Sequence, residues 1–225
     1  MNQKTRYDLS ICTVLVACTT VGSFTVFTPI AQAVNLTAGS SVPLSGTTFA
    51  ARPELGGIVI EDVLRSIGTG LTLQDRIVRS NIDGTLDFYW RLRNDSNAAI
   101  TIGDPSDHIS ARRASFAGFS TDVDFRIDGL GIIPPLTANR SADGSTVEFL
   151  FSPFTLAAGE STRFFFVKTN ATTYNASGIG SFGPSDDFPT FQPAAVPTPA
   201  LLPGIIGLGI GIWRKRKSEG VGNRE

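Results

Sequence analysis

The sequence predicts an all-β body, an antiparallel β-sandwich, flanked by an N-terminal signal peptide and a C-terminal single apolar helix. Three observations support the β-sandwich. Short runs of alternating apolar and polar residues recur about every 10–15 residues, as in sandwich proteins. Turn-forming Gly, Asp, Asn and Pro separate these runs, and no long stretch has the 3.6-residue period of a helix.

Residues 84–93 form the clearest predicted strand. Its apolar residues alternate with polar ones and share a face: Leu86, Phe88, Trp90 and Leu92. A period of two over this length is typical of a strand with one buried face. The turn formers at 94–97 and the apolar residues at 98–102 extend this prediction to a hairpin over 84–102.

Three further segments favour strands. Residues 71–79 alternate, with Leu71, Leu73 and Ile77 on one face. Residues 161–169 contain an apolar run on both faces, typical of a strand that is covered on both sides. Residues 55–67 are ambiguous, because their pattern is compatible with a strand or a helix.

Residues 122–128 alternate as well. Val123, Phe125 and Ile127 are expected to face inward. The polar residues between them are expected to face solvent: Asp122, Asp124, Arg126 and Asp128.

The chain divides into five predicted segments. They are a signal peptide (1–33), a β-sandwich domain (34–174), a Pro/Gly/Ser-rich linker (175–196), a C-terminal sorting signal (197–217) and a cytoplasmic tail (218–225). The linker prediction rests on its Gly, Pro, Ser and Asp content. A last strand around 179–182 is the alternative.

The first 33 residues have the features of a secretory signal peptide. Lys4 and Arg6 precede an apolar stretch over 9–30, and the stretch ends in Pro-Ile-Ala-Gln-Ala. The small residues Ala31 and Ala33 fit the pattern that signal peptidase recognises, so cleavage after Ala33 is expected. A retained membrane helix is the alternative, since the apolar stretch is long enough to span a bilayer.

Both cysteines of the chain, Cys12 and Cys18, lie in this signal peptide. The exported body would therefore contain no thiol and no disulfide, although an oxidising compartment would permit one.

A short apolar segment with a basic end lies near the C-terminus. Leu201–Trp213 has no charged residue, and as a helix it would be about 20 Å long. A bilayer core needs about 20 apolar residues, so this segment is short for a permanent anchor. Four cations follow it and would mark the cytoplasmic side: Arg214, Lys215, Arg216 and Lys217.

The four residues before this segment are Pro197, Thr198, Pro199 and Ala200. Together with the apolar segment and the basic end, they resemble a PEP-CTERM-type sorting signal in its PTPA variant. The resemblance implies an exosortase substrate, processed in the membrane of an exopolysaccharide-producing bacterium, often a cyanobacterium. Thr198 stands where the commoner form has Glu. An ordinary C-terminal membrane anchor is the alternative. The body resembles uncharacterised exported domains of the same group.

The body offers little for catalysis, and no catalytic residue is assigned. Its single histidine, His108, lies in a turn-like stretch, and its single lysine is Lys168. One histidine without cysteine is too few ligands for a usual zinc site. A Ser-His-Asp triad would have to use His108, and no G-x-S-x-G motif is present.

Two kinds of site remain open. A pair of carboxylates could serve glycoside hydrolysis, but among 17 acidic residues a chance pair carries no information. Asp122, Asp124 and Asp128 are weak candidates for a calcium site, because calcium prefers oxygen ligands. No other cofactor is predicted.

Aromatic side chains could stack on a sugar ring. The candidates for an exposed aromatic platform are Tyr89, Phe116, Phe119 and Tyr174. Tyr89 and Trp90 are neighbours on opposite faces of a predicted strand, so one of them is expected in the core.

The function expected from these features is that of a non-enzymatic exported protein of the cell surface or extracellular matrix. Its partners would be signal peptidase, exosortase and exopolysaccharide. The precursor would also contact the inner membrane. The body has 12 cationic and 17 acidic side chains, a formal charge of −5, which argues against a nucleic-acid partner. The alternative is a secreted carbohydrate-binding module or glycoside-active enzyme.

Overall fold

The computed structural model describes residues 34–68, 70–103, 108–183 and 187–195. Within these ranges the named elements are one 3-10 turn, Pro53–Leu55, and fourteen strands. The first seven strands are β1 (Val34–Asn35), β2 (Ser41–Pro43), β3 (Gly57–Gly68), β4 (Leu71–Ser80), β5 (Leu86–Asn94), β6 (Ile100–Ile102) and β7 (Ile109–Arg113). The others are β8 (Thr121–Phe125), β9 (Thr137–Arg140), β10 (Val147–Phe151), β11 (Phe154–Leu156), β12 (Phe165–Thr169), β13 (Thr173–Phe182) and β14 (Phe188–Ala194).

The strands form two six-stranded sheets and one small two-stranded sheet. Sheet 1 has the order β1-β8-β12-β5-β4-β3, and sheet 2 has the order β14-β13-β7-β10-β9-β2. Strand β11 pairs only with β6. The pairings between named strands are antiparallel. The predicted all-β, antiparallel class is therefore confirmed.

The two large sheets share one hydrophobic core. Phe165 of sheet 1 packs against Phe149 and Phe151 of sheet 2, with ring centroids 4.9 Å and 5.4 Å apart. Trp90 of sheet 1 packs against Phe188 of sheet 2 at 5.7 Å. Aromatic pairs at these distances bury large apolar areas, so the facing sheets are held together mainly by their inward-pointing rings.

Two local predictions are confirmed in strands of sheet 1. The apolar residues of β5 lie in the core, and all four are fully buried: Leu86, Phe88, Trp90 and Leu92. In β12, Phe165 and Val167 face the core, whereas Phe166 lies in a second apolar cluster on the other side of the sheet. The ambiguous segment 55–67 is largely strand β3.

The hairpin predicted over 84–102 is wrong. Strand β5 pairs with β4 and β12, so both of its edges are occupied, while β6 pairs with β11. Asn94 redirects the chain, because its amide donates hydrogen bonds to the carbonyls of Ala98 at 2.7 Å and Leu156 at 2.9 Å. The residues after β5 therefore leave sheet 1.

The linker predicted over 175–196 is also wrong where the structure describes it, because β13 and β14 lie in this segment. Its glycines permit close packing instead of flexibility. A Cβ atom at Gly180 would lie 2.4 Å from Cη2 of Trp90, so only glycine lets β13 cross the indole ring at this distance. Strand β14 contains Pro189 and Pro193, which an edge strand tolerates.

The outer face of sheet 1, the face that points away from sheet 2, is covered by loops. Leu55 of the 3-10 turn packs there in an apolar cluster with Val78, Tyr89, Phe164 and Phe166. This cover explains why Asp87 and Tyr89, on the outer face of β5, are buried. The prediction that only one face of β5 is buried was wrong for this reason.

Strand β3 forms one edge of sheet 1 and is twelve residues long. Its exposed apolar side chains include Ile58, Val59 and Leu64. The pairing of β3 with β4 is interrupted by register shifts between Val59 and Glu61 and between Ser66 and Gly68.

The signals predicted at both ends lie outside the described residues. They include the signal peptide with Ala31 and Ala33, the Pro197–Ala200 motif, the apolar helix and the basic residues 214–217. Across the residues that are described, no helix combines the length and apolar character needed to cross a membrane.

Candidate ligand-binding site

A cavity of about 220 Å³ opens on the outer face of sheet 1. We call it the Tyr89 pocket. It is lined by Leu55, Arg76, Val78, Tyr89, Arg126, Gly129, Leu130 and Phe164. Ligand pockets for drug-sized molecules have volumes of about 300–1,000 Å³, so this pocket suits a single ring or a group of similar size.

Regular strands position the central side chains of the pocket. Arg76 on β4 lies directly opposite Tyr89 on β5, so both side chains point to the same face of the sheet. Phe164 comes one residue before β12 and Arg126 one residue after β8. The backbone N–H of Arg126 donates to the carbonyl of Phe164 at 2.8 Å, which fixes these two residues side by side.

A loop over residues 127–132 forms the outer wall of the pocket. Its backbone is tied down at both ends: Ile127 N–H donates to Thr47 at 2.8 Å, and Ile132 N–H donates to Ser161 at 2.9 Å. Gly131 has a φ of 92°, and a Cβ atom there would lie 1.9 Å from the carbonyl oxygen of Thr162. Glycine is therefore required for the loop to lie this close to the sheet.

The hydroxyl group of Tyr89 makes no well-aligned hydrogen bond among the described residues, although the side chain is only 3% exposed. The ring packs against Phe166 and Phe164, with centroids 5.1 Å and 6.1 Å apart. Burial raises the pKa of Tyr89 above its usual value, so the hydroxyl keeps its proton. The guanidinium of Arg126 interacts with this hydroxyl and opposes the rise in its pKa.

The two arginines of the pocket are held in place but keep unused donors. Arg76 donates from Nη2 to Asp62 at 2.7 Å, and its guanidinium lies 4.8 Å from the ring centroid of Phe164. Its Nε is buried and has no partner among the described residues. Arg126 donates from Nε and Nη2 to Asp128, at 2.7 Å and 3.0 Å. A guanidinium has five N–H donors, so each arginine can bind a second acceptor.

A second cavity of about 380 Å³ lies next to the Tyr89 pocket, and Leu130 lines both. We call it the Arg93 cleft. Its lining comprises Arg91, Arg93, Leu130, Gly131, Ile132, Gly159, Glu160 and Ser161. Leu130 is 64% exposed and Ile132 is 51% exposed, so the shared wall is apolar and accessible.

The side chains that line the two cavities are predominantly cationic, with four arginines and one glutamate. Arg91 pairs with no carboxylate within the described part of the chain. It donates two hydrogen bonds to Oε1 of Gln74, at 3.0 Å and 2.6 Å, and lies 4.7 Å from the ring centroid of Phe164. The other three arginines each bind an aspartate: Arg76 binds Asp62, Arg93 binds Asp95 and Arg126 binds Asp128. Arg91 is the arginine of this group whose charge is not neutralised by direct contact, so an anion is attracted most strongly near it.

The weak calcium candidates do not form a common site. Asp124 is fully buried and accepts hydrogen bonds from the backbone N–H groups of Gly46, at 2.8 Å, and Phe125, at 2.9 Å. Asp122 accepts from Asn35 at 3.2 Å, and Asp128 is bound by Arg126. The described residues contain no group of three or more His, Cys, Asp or Glu that could hold a metal ion.

The structure corrects two side-chain orientations predicted for residues 122–128. Asp124 was expected to face solvent, but the loop before the 3-10 turn covers it. Ile127 was expected to face inward, but it is 45% exposed because β8 ends at Phe125.

Of the four aromatic candidates, only Tyr89 lines one of these cavities. Phe116 is fully buried in the main core, where it packs against Phe88. The hydroxyl of Tyr174 donates to Glu61 at 2.6 Å, and its ring packs against Phe191. Phe119 is half-buried and lies outside both cavities.

Sequence reasoning did not single out Arg76 and Phe164 as residues of a site. Arg76 was visible as an outward residue of an alternating strand, but its position opposite Tyr89 depends on the register of β4 and β5.

Comparisons with known proteins provide no relative for this chain: no family model, curated protein or solved structure matches it. The chemistry of the site therefore has to be inferred from its own residues. Arginine N–H groups and apolar walls can bind and orient an anion.

Proposed function

We propose that this chain is a non-enzymatic exported protein of the cell surface or extracellular matrix. In this proposal, signal peptidase removes residues 1–33, and an exosortase acts at the PEP-CTERM-type signal over 197–217. The precursor is held in the inner membrane, and the mature β-sandwich domain associates with exopolysaccharide outside the cell.

The observation that carries this proposal is the order of signals at the two ends relative to the fold. Val34, the residue after the expected cleavage position, already belongs to the fold, because it pairs with Val123 of β8. Strand β14 ends at Ala194, three residues before Pro197. Cuts at both signals would leave all the described strands intact, as a protein processed after export requires.

A sugar-binding role is the second candidate, and the Tyr89 pocket and Arg93 cleft favour it. A glycoside hydrolase needs two carboxyl groups about 5–10 Å apart across its substrate. Among the described residues, Glu160 supplies the only carboxyl group that lines either cavity. The site is therefore better suited to binding a carbohydrate than to cleaving it.

Intact-mass analysis of the envelope and extracellular fractions tests the processing. We expect a mature form that begins at Val34 and lacks Arg214–Lys217. The variant P197A/P199A should keep the basic residues, whereas the control P203A, outside the four-residue motif, should be processed normally. Recovery of the intact basic end in the extracellular fraction would refute the proposal.

A further inference from the structure

We propose that the Tyr89 pocket and the Arg93 cleft together bind a uronate-containing oligosaccharide, with one carboxylate-bearing ring in the pocket. This inference rests on the proposed function, which supplies such a polymer outside the cell. It adds the chemical class of the ligand. The chemistry it requires is a carboxylate on a ring that has an apolar face.

The requirement for an anion follows from the unused donors. In the Tyr89 pocket, Arg76 uses Nη2 to bind Asp62, and Arg126 uses Nε and Nη2 to bind Asp128. A guanidinium has five N–H groups, so each of these arginines keeps donors for an acceptor that enters the pocket. Carboxylates accept several hydrogen bonds and match the planar fork of a guanidinium, and Arg126 can contribute to the same group.

The requirement for an apolar face follows from the walls. Leu55, Val78 and Phe164 supply carbon surface inside the pocket, and Leu130 supplies it at the rim. A small inorganic anion would leave this surface exposed to water. A sugar ring places its C–H groups against such walls while its carboxylate reaches the arginines, so a uronate satisfies both parts of the lining.

The length of the ligand follows from the shared wall. The volume of the Tyr89 pocket is sufficient for one ring only, but the Arg93 cleft continues beyond Leu130. Arg91 and Arg93 line this second cavity, and Arg91 has no carboxylate partner within the described residues. A second uronate of the same chain would bring its carboxylate close to these arginines.

Titration calorimetry on the full chain in detergent tests the inference. The probes are galacturonic acid, its α-1,4-linked trimer and the same trimer after reduction of its carboxyl groups. We expect the acidic trimer to bind more tightly than the monosaccharide and the reduced trimer to bind at least tenfold more weakly. Equal affinity for both trimers would overturn the role of charge, and equal affinity for monomer and trimer would overturn the role of the cleft.

Three variants locate the site. R126Q should weaken binding of the acidic trimer about tenfold, since it removes a charged donor. Y89F should weaken binding about fivefold, because the hydroxyl interacts with Arg126 and helps to hold its guanidinium at the pocket. The control R112Q removes an arginine of sheet 2 that is outside both cavities and should bind normally. Unchanged binding by both R126Q and Y89F would refute this site.

An aromatic carboxylate is the competing ligand, since it also combines an anion with an apolar ring. Benzoate is therefore a fourth probe, and tighter binding of benzoate than of the acidic trimer would overturn the sugar assignment. A protein that is correctly processed but does not bind the trimer would refute this inference alone. A protein that binds the trimer but keeps its basic end would refute the processing alone.

Discussion

Asp75 and Arg113 form an ion pair that is buried completely between the two sheets. Oδ1 of Asp75 on β4 accepts a hydrogen bond from Nη2 of Arg113 on β7 at 3.1 Å, and the side chains are 0% and 1% exposed. Asp75 also accepts hydrogen bonds from Trp90 at 2.9 Å and Thr190 at 2.7 Å. One carboxylate therefore connects four strands from both sheets.

The first prediction concerns this pair. D75N should lower the free energy of unfolding by about 3–5 kcal/mol, because it leaves the Arg113 charge buried without a counterion. R113M should also be destabilising, although Arg65, with Nε 3.6 Å from Oδ2 of Asp75, remains as a counterion for the carboxylate. The double variant D75N/R113M should lose less than the sum of the two. Urea unfolding of the wild type, the two single variants and the double variant gives the coupling free energy between Asp75 and Arg113. Additive effects would show that the pair has no mutual stabilisation.

The second prediction concerns the pH dependence of stability. Asp87 is fully buried and neither oxygen has a hydrogen-bond partner among the described residues. Burial raises its pKa from 3.8 to about 7, although Lys168, with Nζ 3.9 Å from Oδ1, opposes this shift. Between pH 4 and 7 the folded protein holds a proton that the unfolded chain has released. The free energy of unfolding should therefore fall as the pH rises through this window.

D87N should remove that fall and raise the free energy of unfolding at pH 7 by up to about 4 kcal/mol, because one pKa unit corresponds to about 1.4 kcal/mol. The matched comparison is D143N. Hydrogen bonds from Ser141 and Ser145 lower the pKa of the exposed Asp143 to about 2, so its contribution is lost as the pH falls below 4. Urea midpoints measured from pH 2 to 8 distinguish the effect of D87N from that of D143N. An unchanged slope above pH 4 in D87N would contradict the assignment.

The third prediction concerns Arg140, which is buried and pairs with no acid among the described residues. Its guanidinium donates to five neutral oxygens, including the carbonyls of Leu36 at 3.1 Å and Phe116 at 3.0 Å. R140K should lower the free energy of unfolding by about 2–4 kcal/mol, since an ammonium has three donors and leaves acceptors unpaired. The exposed control R112K should change it by less than about 0.5 kcal/mol.

The fourth prediction concerns the C-terminal boundary of the domain. A fragment of residues 34–195 should unfold cooperatively in urea, whereas 34–174 should lack a cooperative transition. The shorter fragment removes Phe182 and Phe191 from the core, and it also removes the Thr190 hydroxyl that binds Asp75. Near-ultraviolet circular dichroism and limited proteolysis report the difference. A cooperative transition in 34–174 would restore the linker interpretation of 175–196.

The sequence was sufficient for the fold class because period-two alternation reports which residues share a strand face. It correctly grouped Phe88 with Trp90, and it predicted a strand covered on both sides within 161–169, where β12 lies. The sequence-based prediction failed where a contact with a distant residue, and not the local composition, determines the structure. Gly180 is a signal for a loop in isolation, but the contact that requires it is with Trp90, ninety positions earlier in the chain.

The candidate site was less accessible to sequence reasoning for a related reason. Tyr89 was a candidate on its residue type alone, whereas its partners Arg126 and Phe164 come from distant strands. Asp87 and Asp124 were expected to face solvent but are fully buried, and so is Asp75, which lies on the same face of β4 as Leu73 and Ile77. Burial of these carboxylates depends on loops and on cross-sheet partners that no local pattern reveals.

The register shifts in β3 have a consequence for self-association of the protein. An unpaired edge with Ile58, Val59 and Leu64 exposed would otherwise be a template on which further copies could add, strand by strand, into fibrils. Each bulge bends and twists the strand locally, which spoils the flat alignment such growth needs. Deleting Ile60 would make Val59 and Glu61 adjacent and remove the first of the two register shifts, so this variant should form amyloid more readily.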